Sequence, residues 1–190
     1  MHKSLDSIEQ LYSFIERDGR DPESELKRIK VLKLDAASAN ASDYGIEPGS
    51  AAGIITSPPY LCMADYSLGQ RLSYSWIDPD ALSTDFQSEL GARRKRFRPK
   101  EALDEYYKGL KNFINTLPDL LRRGGFLATV LGEPVARAFE KEEILKKYDS
   151  FLNQIGFELV WHRWRDIHWH RNHGYARLKK ERVSIHVLKL

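Results

Sequence analysis

Ser57-Pro58-Pro59-Tyr60 is the segment whose residue types most demand a chemical explanation. It follows a short apolar run, Ala52 to Thr56, that reads as a strand stopped by two prolines, which cannot donate to a sheet ladder. The prolines fix an extended turn, point a carbonyl outward and hold an aromatic ring at the strand's carboxyl end. Open α/β sheets bind their ligands at that end. The exocyclic amino group of a nucleobase is a poor nucleophile because its lone pair is delocalised into the ring. The Ser57 hydroxyl and the Pro58 carbonyl are two acceptors able to take its two N–H bonds and draw the nitrogen toward a tetrahedral shape. The Tyr60 ring is suited to stack on a base swung out of its duplex. Pro-Pro-Tyr alone also fits a simple turn or a WW-domain ligand, so its context decides.

Charge adds a second signal. Residues 91–100, GARRKRFRPK, hold Arg93, Arg94, Lys95, Arg96, Arg98 and Lys100 and no acid, whereas residues 1–25 carry a balance of −4. Residues 161–182 carry +5 interleaved with Trp161, Trp164, Trp169 and Tyr175. Basic clusters with aromatics suit a polyanion whose bases stack, so Arg93, Arg94, Lys95, Arg96, Arg98 and Arg171 are candidate nucleic-acid contacts. A solvated loop beside a Trp-rich core strand accounts for the same composition. His162, His168, His170 and His173 lie close in sequence, but with one cysteine and Asp166 as the nearby carboxylate they are read as solvent or phosphate contacts, and no metal is assigned. Cys62 is read as a small buried hydrophobe rather than a nucleophile. Glu133, in LGEP, either reaches the pocket or serves as a turn residue.

The elements that must position these residues follow from periodicity. At 190 residues, 42% hydrophobic and 30% charged, the chain has the composition of one globular domain over 1–190, which excludes disordered and collagen-like classes. A single cysteine excludes an internal disulfide framework, and no apolar run reaches membrane-spanning length, so a soluble cytoplasmic protein is expected. Helical spacing is predicted over 4–17, in part over 66–90, from Leu103 to Leu121 and over 138–155. Strands are predicted at 29–35, closing on Asp35, and at 52–56, 126–132, 157–169 and 182–190. Residues 38–50 and the basic stretch 91–100 read as loops, the latter mobile. The alternation of strands and helices indicates an α/β fold, with an antiparallel strand pair at the carboxyl end.

Thr56-Ser57-Pro58-Pro59-Tyr60-Leu61, with Asp65-Tyr66, Leu72-Ser73 and Trp76 after it, resembles the motif of the DNA N4-cytosine/N6-adenine amino-methyltransferases. Leu121-Arg122-Arg123-Gly124-Gly125 before FLATVLG resembles that family's helix-to-fifth-strand element, and RVSIHVLKL resembles its last strand. The resemblance covers roughly residues 29–190. It implies a Rossmann-like fold with sheet order 3-2-1-4-5-7-6, S-adenosylmethionine as cofactor and DNA as substrate. It also implies Ser57, Pro58, Pro59 and Tyr60 as catalytic residues, and Asp35 and Thr56 as cofactor-binding ones. Asp35 equally fits a residue that simply starts a turn. A serine at the first motif position implies cytosine N4, with adenine N6 the alternative; it disfavours RNA.

The family's glycine-rich cofactor loop and its ribose-binding acid are not visible in the sequence. Gly45, Gly49 and Gly53 lack a strand before them and a helix after them. Strands 29–35, 52–56, 126–132, 157–169 and 182–190 would be the family's third to seventh, which leaves its first and second missing and the edge of the fourth unpaired. The expectation is therefore a heterodimeric, split methyltransferase of restriction-modification type, with a second subunit supplying the cofactor loop. The alternatives are a non-catalytic DNA-binding or regulatory subunit, a degenerate remnant, and a self-sufficient enzyme with an unrecognised cofactor loop.

Overall fold

In the computed structural model, which describes residues 2–133, 139, 143–166 and 180–189, the chain divides into two compact units, Met1–Leu34 and Asp35–Leu190. The first unit contains α1 (His2–Arg17) and α2 (Pro22–Lys27). Asp21 caps α2 by accepting the Ser24 N–H at 3.0 Å and the Ser24 hydroxyl at 2.6 Å, with Pro22 in the first turn where its missing N–H costs nothing. These hydrogen bonds hold the Asp21 carboxyl below its ordinary value.

Residues 29–35 form no strand, contrary to the alternation read there. Ile29, Val31, Leu32 and Leu34 are 61%, 94%, 47% and 40% exposed. The reason lies in their parity. Ile29 and Val31 would point to one face of a strand and Leu32 and Leu34 to the other, so the segment could be a strand only with both faces covered.

In the second unit, the stretch read as a loop over 38–50 contains a short helix, α3 (Ala41–Tyr44). It is capped reciprocally by Asn40 and Asp43 and ended by Gly45 at φ 64°. After it come β1 (Ala51–Thr56), α4 (Tyr66–Gly69), α5 (Arg71–Ile77) and α6 (Ala81–Ser88). The basic stretch is not an irregular loop: Arg93–Phe97 form a 3₁₀ turn that leads into α7 (Pro99–Leu120), with Pro99 in the helix's first turn. The remaining elements are β2 (Leu121–Gly132), α8 (Ile144–Gln154), β3 (Phe157–Asp166) and β4 (Lys180–Leu188). Among the described residues no helix is long and apolar enough to cross a membrane.

The four strands form one mixed sheet in the order β1-β2-β4-β3, with β1 parallel to β2 and the other pairs antiparallel. The fold is therefore mixed α/β with an antiparallel pair at the carboxyl end. One face of the sheet is packed. Tyr106, Leu110, Ile114 and Leu117 of α7 and Ile144, Leu145, Tyr148 and Leu152 of α8 are buried in one core with Leu127 and Leu131 of β2. Each such aliphatic side chain contributes about 1.5–3 kcal/mol on burial. Polar residues share this face: Thr129 and Ser184 hydroxyls meet at 2.9 Å, and Asp149 accepts two bonds from Arg182, at 2.7 and 2.6 Å, and lies 3.1 Å from His186 Nε2. Burial would raise the Asp149 carboxyl, but His186 and Arg182 together hold it below its ordinary value. Glu133 is not at the pocket; its carboxylate accepts the N–H groups of Ile144 at 3.1 Å and Leu145 at 3.0 Å, capping α8.

The opposite face of the sheet carries the alternate residues. Ile55, Phe126 and Trp161 are 80%, 39% and 46% exposed, beside half-buried Val183, Ile185 and Val187. The Phe126 ring lies over Gly53, where a Cβ would come within 2.3 Å of the ring. At the sheet's end β1 has β2 as its one neighbour among the described strands, so its outer backbone groups form an edge.

Candidate active site

β1 ends at Thr56 and delivers Ser57-Pro58-Pro59-Tyr60 to the carboxyl end of the sheet, as the sequence predicts. The turn is pinned from three sides. Tyr106 of α7 donates its hydroxyl to the Pro59 carbonyl at 2.8 Å, and Tyr60 donates its own hydroxyl to Glu181 Oε2 of β4 at 2.6 Å. Behind the turn, the Cys62 N–H donates to the Gly91 carbonyl at 2.7 Å. Gly91 has φ +69°, and a Cβ there would come within 2.9 Å of the Tyr60 carbonyl oxygen, so only glycine fits. Ser57 is exposed and Pro58 buried. The Tyr106 bond leaves the Pro59 carbonyl already engaged inside the protein.

A cavity of about 390 Å³ opens beside this turn, lined by Asp35, Thr56, Ser57, Pro58 and Pro59 together with Ser88, Leu90 and the α7 residues Gly109, Leu110 and Phe113. The two residues assigned to the cofactor, Asp35 and Thr56, thus share a wall with the first three motif residues. Tyr60 stands apart from that wall and turns its hydroxyl to Glu181. Asp35 also closes a turn: its Oδ1 accepts the Ala37 N–H at 3.0 Å and its Oδ2 the Ser38 hydroxyl at 3.2 Å. The cavity therefore offers one carboxylate, three hydroxyls and an apolar wall, which suits a flat heterocycle bearing amino or hydroxyl groups.

Glu181 is 6% exposed and is also bound by Arg165, through Nε and Nη2 to Oε1. Burial first, and the neighbouring Glu181 second, push the Tyr60 phenol far above its ordinary value, so it remains a protonated donor. Burial also pushes the Cys62 thiol up to about 11, which leaves it a packing residue rather than a nucleophile.

The basic cluster is partly turned inward. Arg94 reaches Asp65 at 3.0 Å, Glu89 at 2.9 Å and the Phe86 carbonyl, and its guanidinium stacks 3.8 Å over the Phe86 ring. Burial alone would raise the Glu89 carboxyl, but the Ser67 hydroxyl, Arg94 and the Tyr66 N–H hold it below its ordinary value. Arg94, read in the sequence as a nucleic-acid contact, is bonded to acids and a carbonyl of the same chain and braces the loops between β1 and α7. Lys95 pairs with Glu105 at 2.6 Å and Arg98 with Glu101 at 3.5 Å, while Arg96 is exposed with its guanidinium over the Phe97 ring. Arg171, with His168, Trp169, His170 and His173, lies outside the described residues.

Glu181, Arg165, Tyr106 and Gly91 were not found by reading the sequence. Tyr106 was visible only as part of an apolar stripe. Glu181 sits 121 residues from its partner Tyr60, a separation no local pattern bridges.

No protein-family model matches the chain, and no curated protein matches it. Among solved structures it is similar to a proposed DNA modification methylase of Thermus thermophilus, in three crystal structures. Its selenomethionine derivative aligns at 13% identity and TM-score 0.39, over 77% of this chain and 48% of that one. The underivatised protein aligns at 16% and 0.40, over 80% and 53%. The complex with S-adenosyl-L-methionine aligns at 17% and 0.40, over 80% and 54%. The chain spans about half the length of these structures.

Proposed function

We propose that the chain is the catalytic-motif subunit of a split S-adenosylmethionine-dependent DNA methyltransferase that acts on cytosine N4. The observation that carries this reading is the rigid Ser57-Pro58-Pro59 turn at the carboxyl end of β1, opening onto the cavity it shares with Asp35 and Thr56. The sheet order β1-β2-β4-β3 supports it, because these strands stand where the family resemblance places its fourth, fifth, seventh and sixth.

In this reading the target base enters at the turn, where the Ser57 hydroxyl and the Pro58 carbonyl accept its two amino N–H bonds and hold the nitrogen toward the cavity. The Tyr60 ring stacks on the extruded base. The residues present suit part of the cofactor: Asp35, Thr56 and the apolar wall of Leu90, Leu110 and Phe113 match an adenosine. Bound there, S-adenosylmethionine supplies an electrophilic methyl group. The methionine end has no cradle among the described residues, since Gly45 ends α3 and the Gly49 N–H is held by the Asp119 carbonyl at 2.7 Å. A second polypeptide supplies that glycine loop and the strands that complete the sheet. The open edge of β1 and the exposed Ile55 and Phe126 mark where those strands and their helices pack.

The occupied glycines also favour a second reading, a DNA-binding subunit without cofactor. The test that separates the two is methyl transfer to duplex DNA, then digestion and identification of the modified nucleoside. N4-methylcytosine is the expected product, and Ser57→Ala lowers its rate by roughly tenfold or more through loss of one oriented acceptor. A Ser57→Ala protein that keeps the full rate removes Ser57 from the mechanism.

A further inference from the structure

Tyr60, Glu181 and Arg165 form a bridge between the target turn after β1 and the β3–β4 pair at the other side of the sheet. We infer that Glu181 is the positioning residue that fixes the direction of the Tyr60 ring, with Arg165 holding Glu181 in place. The inference rests on the reading of Tyr60 as the residue that stacks on the target base.

The geometry is costly unless it orients something. Glu181 is 6% exposed, and burying a carboxylate carries a desolvation penalty that a well-packed apolar pair would avoid. The penalty is offset by two partners on different elements: the Tyr60 hydroxyl at 2.6 Å on Oε2, and Arg165 on Oε1. Each carboxylate oxygen thus has one dedicated donor. Packing alone would bury the Tyr60 ring without fixing where its long axis points. A hydrogen bond at the para position fixes that direction, because the hydroxyl lies on the axis and moves whenever the Cα–Cβ torsion swings the ring; the preference of a phenol O–H for the ring plane then biases rotation about the axis. The backbone end is fixed as well, by the Tyr106 bond to the Pro59 carbonyl and by the close approach of Gly91 to the Tyr60 carbonyl. A ring held at both ends meets an incoming base without first losing rotational freedom.

The test uses Tyr60→Phe, Glu181→Ala, Glu181→Gln and the double variant Tyr60→Phe/Glu181→Ala, in the full chain together with its partner subunit. Glu181→Ala is expected to lower kcat roughly tenfold with KM for S-adenosylmethionine unchanged. Glu181→Gln, which keeps an acceptor, restores most of that loss. In the Tyr60→Phe background, Glu181→Ala has no further effect on kcat. Equal losses from Glu181→Ala in the two backgrounds, or a loss in KM alone, overturn the inference while leaving the methyltransferase reading intact. Urea unfolding of the same set measures the bridge without any activity. A coupling of roughly tenfold or more in the unfolding constant is expected for a hydrogen bond to a buried carboxylate. Coupling in unfolding with no methyl transfer by any variant removes the methyltransferase reading and leaves the bridge standing; absence of coupling overturns the bridge itself.

Discussion

A serine hydroxyl and a proline carbonyl can polarise an amino group only if the turn that carries them cannot relax, and Gly91 is one residue that enforces this. Its φ of +69° and the 2.9 Å approach a Cβ would make to the Tyr60 carbonyl oxygen mean that any side chain pushes directly on the motif's backbone. Gly91→Ala is expected to destabilise the chain by about 1–3 kcal/mol, read as a lower urea midpoint with an unchanged slope. An unchanged midpoint would show that the turn accommodates the methyl group. Ser57 and Tyr60 were legible in the sequence because two prolines after an apolar strand leave few conformations open to the turn. Gly91, Tyr106 and Glu181 were not, since their roles come from approaches between segments far apart in the chain. Cys62 and Glu133 drew attention by position alone; burial makes the first a packing residue, and the second caps α8.

Among the elements, α7 was the most legible, because its apolar stripe recurs over 22 residues and leaves little freedom in how it packs. The stretch at 29–35 failed for the opposite reason: its hydrophobic residues change parity midway, and periodicity does not say whether a second layer exists to cover both faces. The basic stretch was misread as an irregular loop because composition counts charges without their partners. Acids at Asp65, Glu89, Glu101 and Glu105 pair with three of its bases and help order it. Exposure separates two kinds of variant. Replacing Arg96, Arg98 and Lys100, whose side chains are exposed, with Ala should flatten the dependence of DNA affinity on salt, by roughly one unit of log–log slope for each phosphate no longer neutralised. Arg94→Ala should instead lower stability, since it strands the carboxylates of Asp65 and Glu89, with little change in that slope. Salt titrations of duplex binding check both, and an unchanged slope in the triple variant would remove the phosphate clamp.

At the scale of the molecule, one face of the sheet is packed by α7 and α8, while the other leaves Ile55 and Phe126 exposed beside the open edge of β1 and Trp161 exposed on β3 at the opposite edge. A strand edge next to an apolar face is an invitation to pairing. The proposed second subunit meets that edge and brings the glycine loop that the described residues around the cavity beside Ser57 do not provide. The most direct test is to co-express the chain with candidate partners, purify any stable complex, and assay transfer of a labelled methyl group from S-adenosylmethionine to duplex DNA. The account predicts transfer by a complex whose second polypeptide bears a glycine-rich loop, and none by this chain alone. Transfer by the chain alone, or a stable complex of that kind that transfers no methyl group, would contradict it.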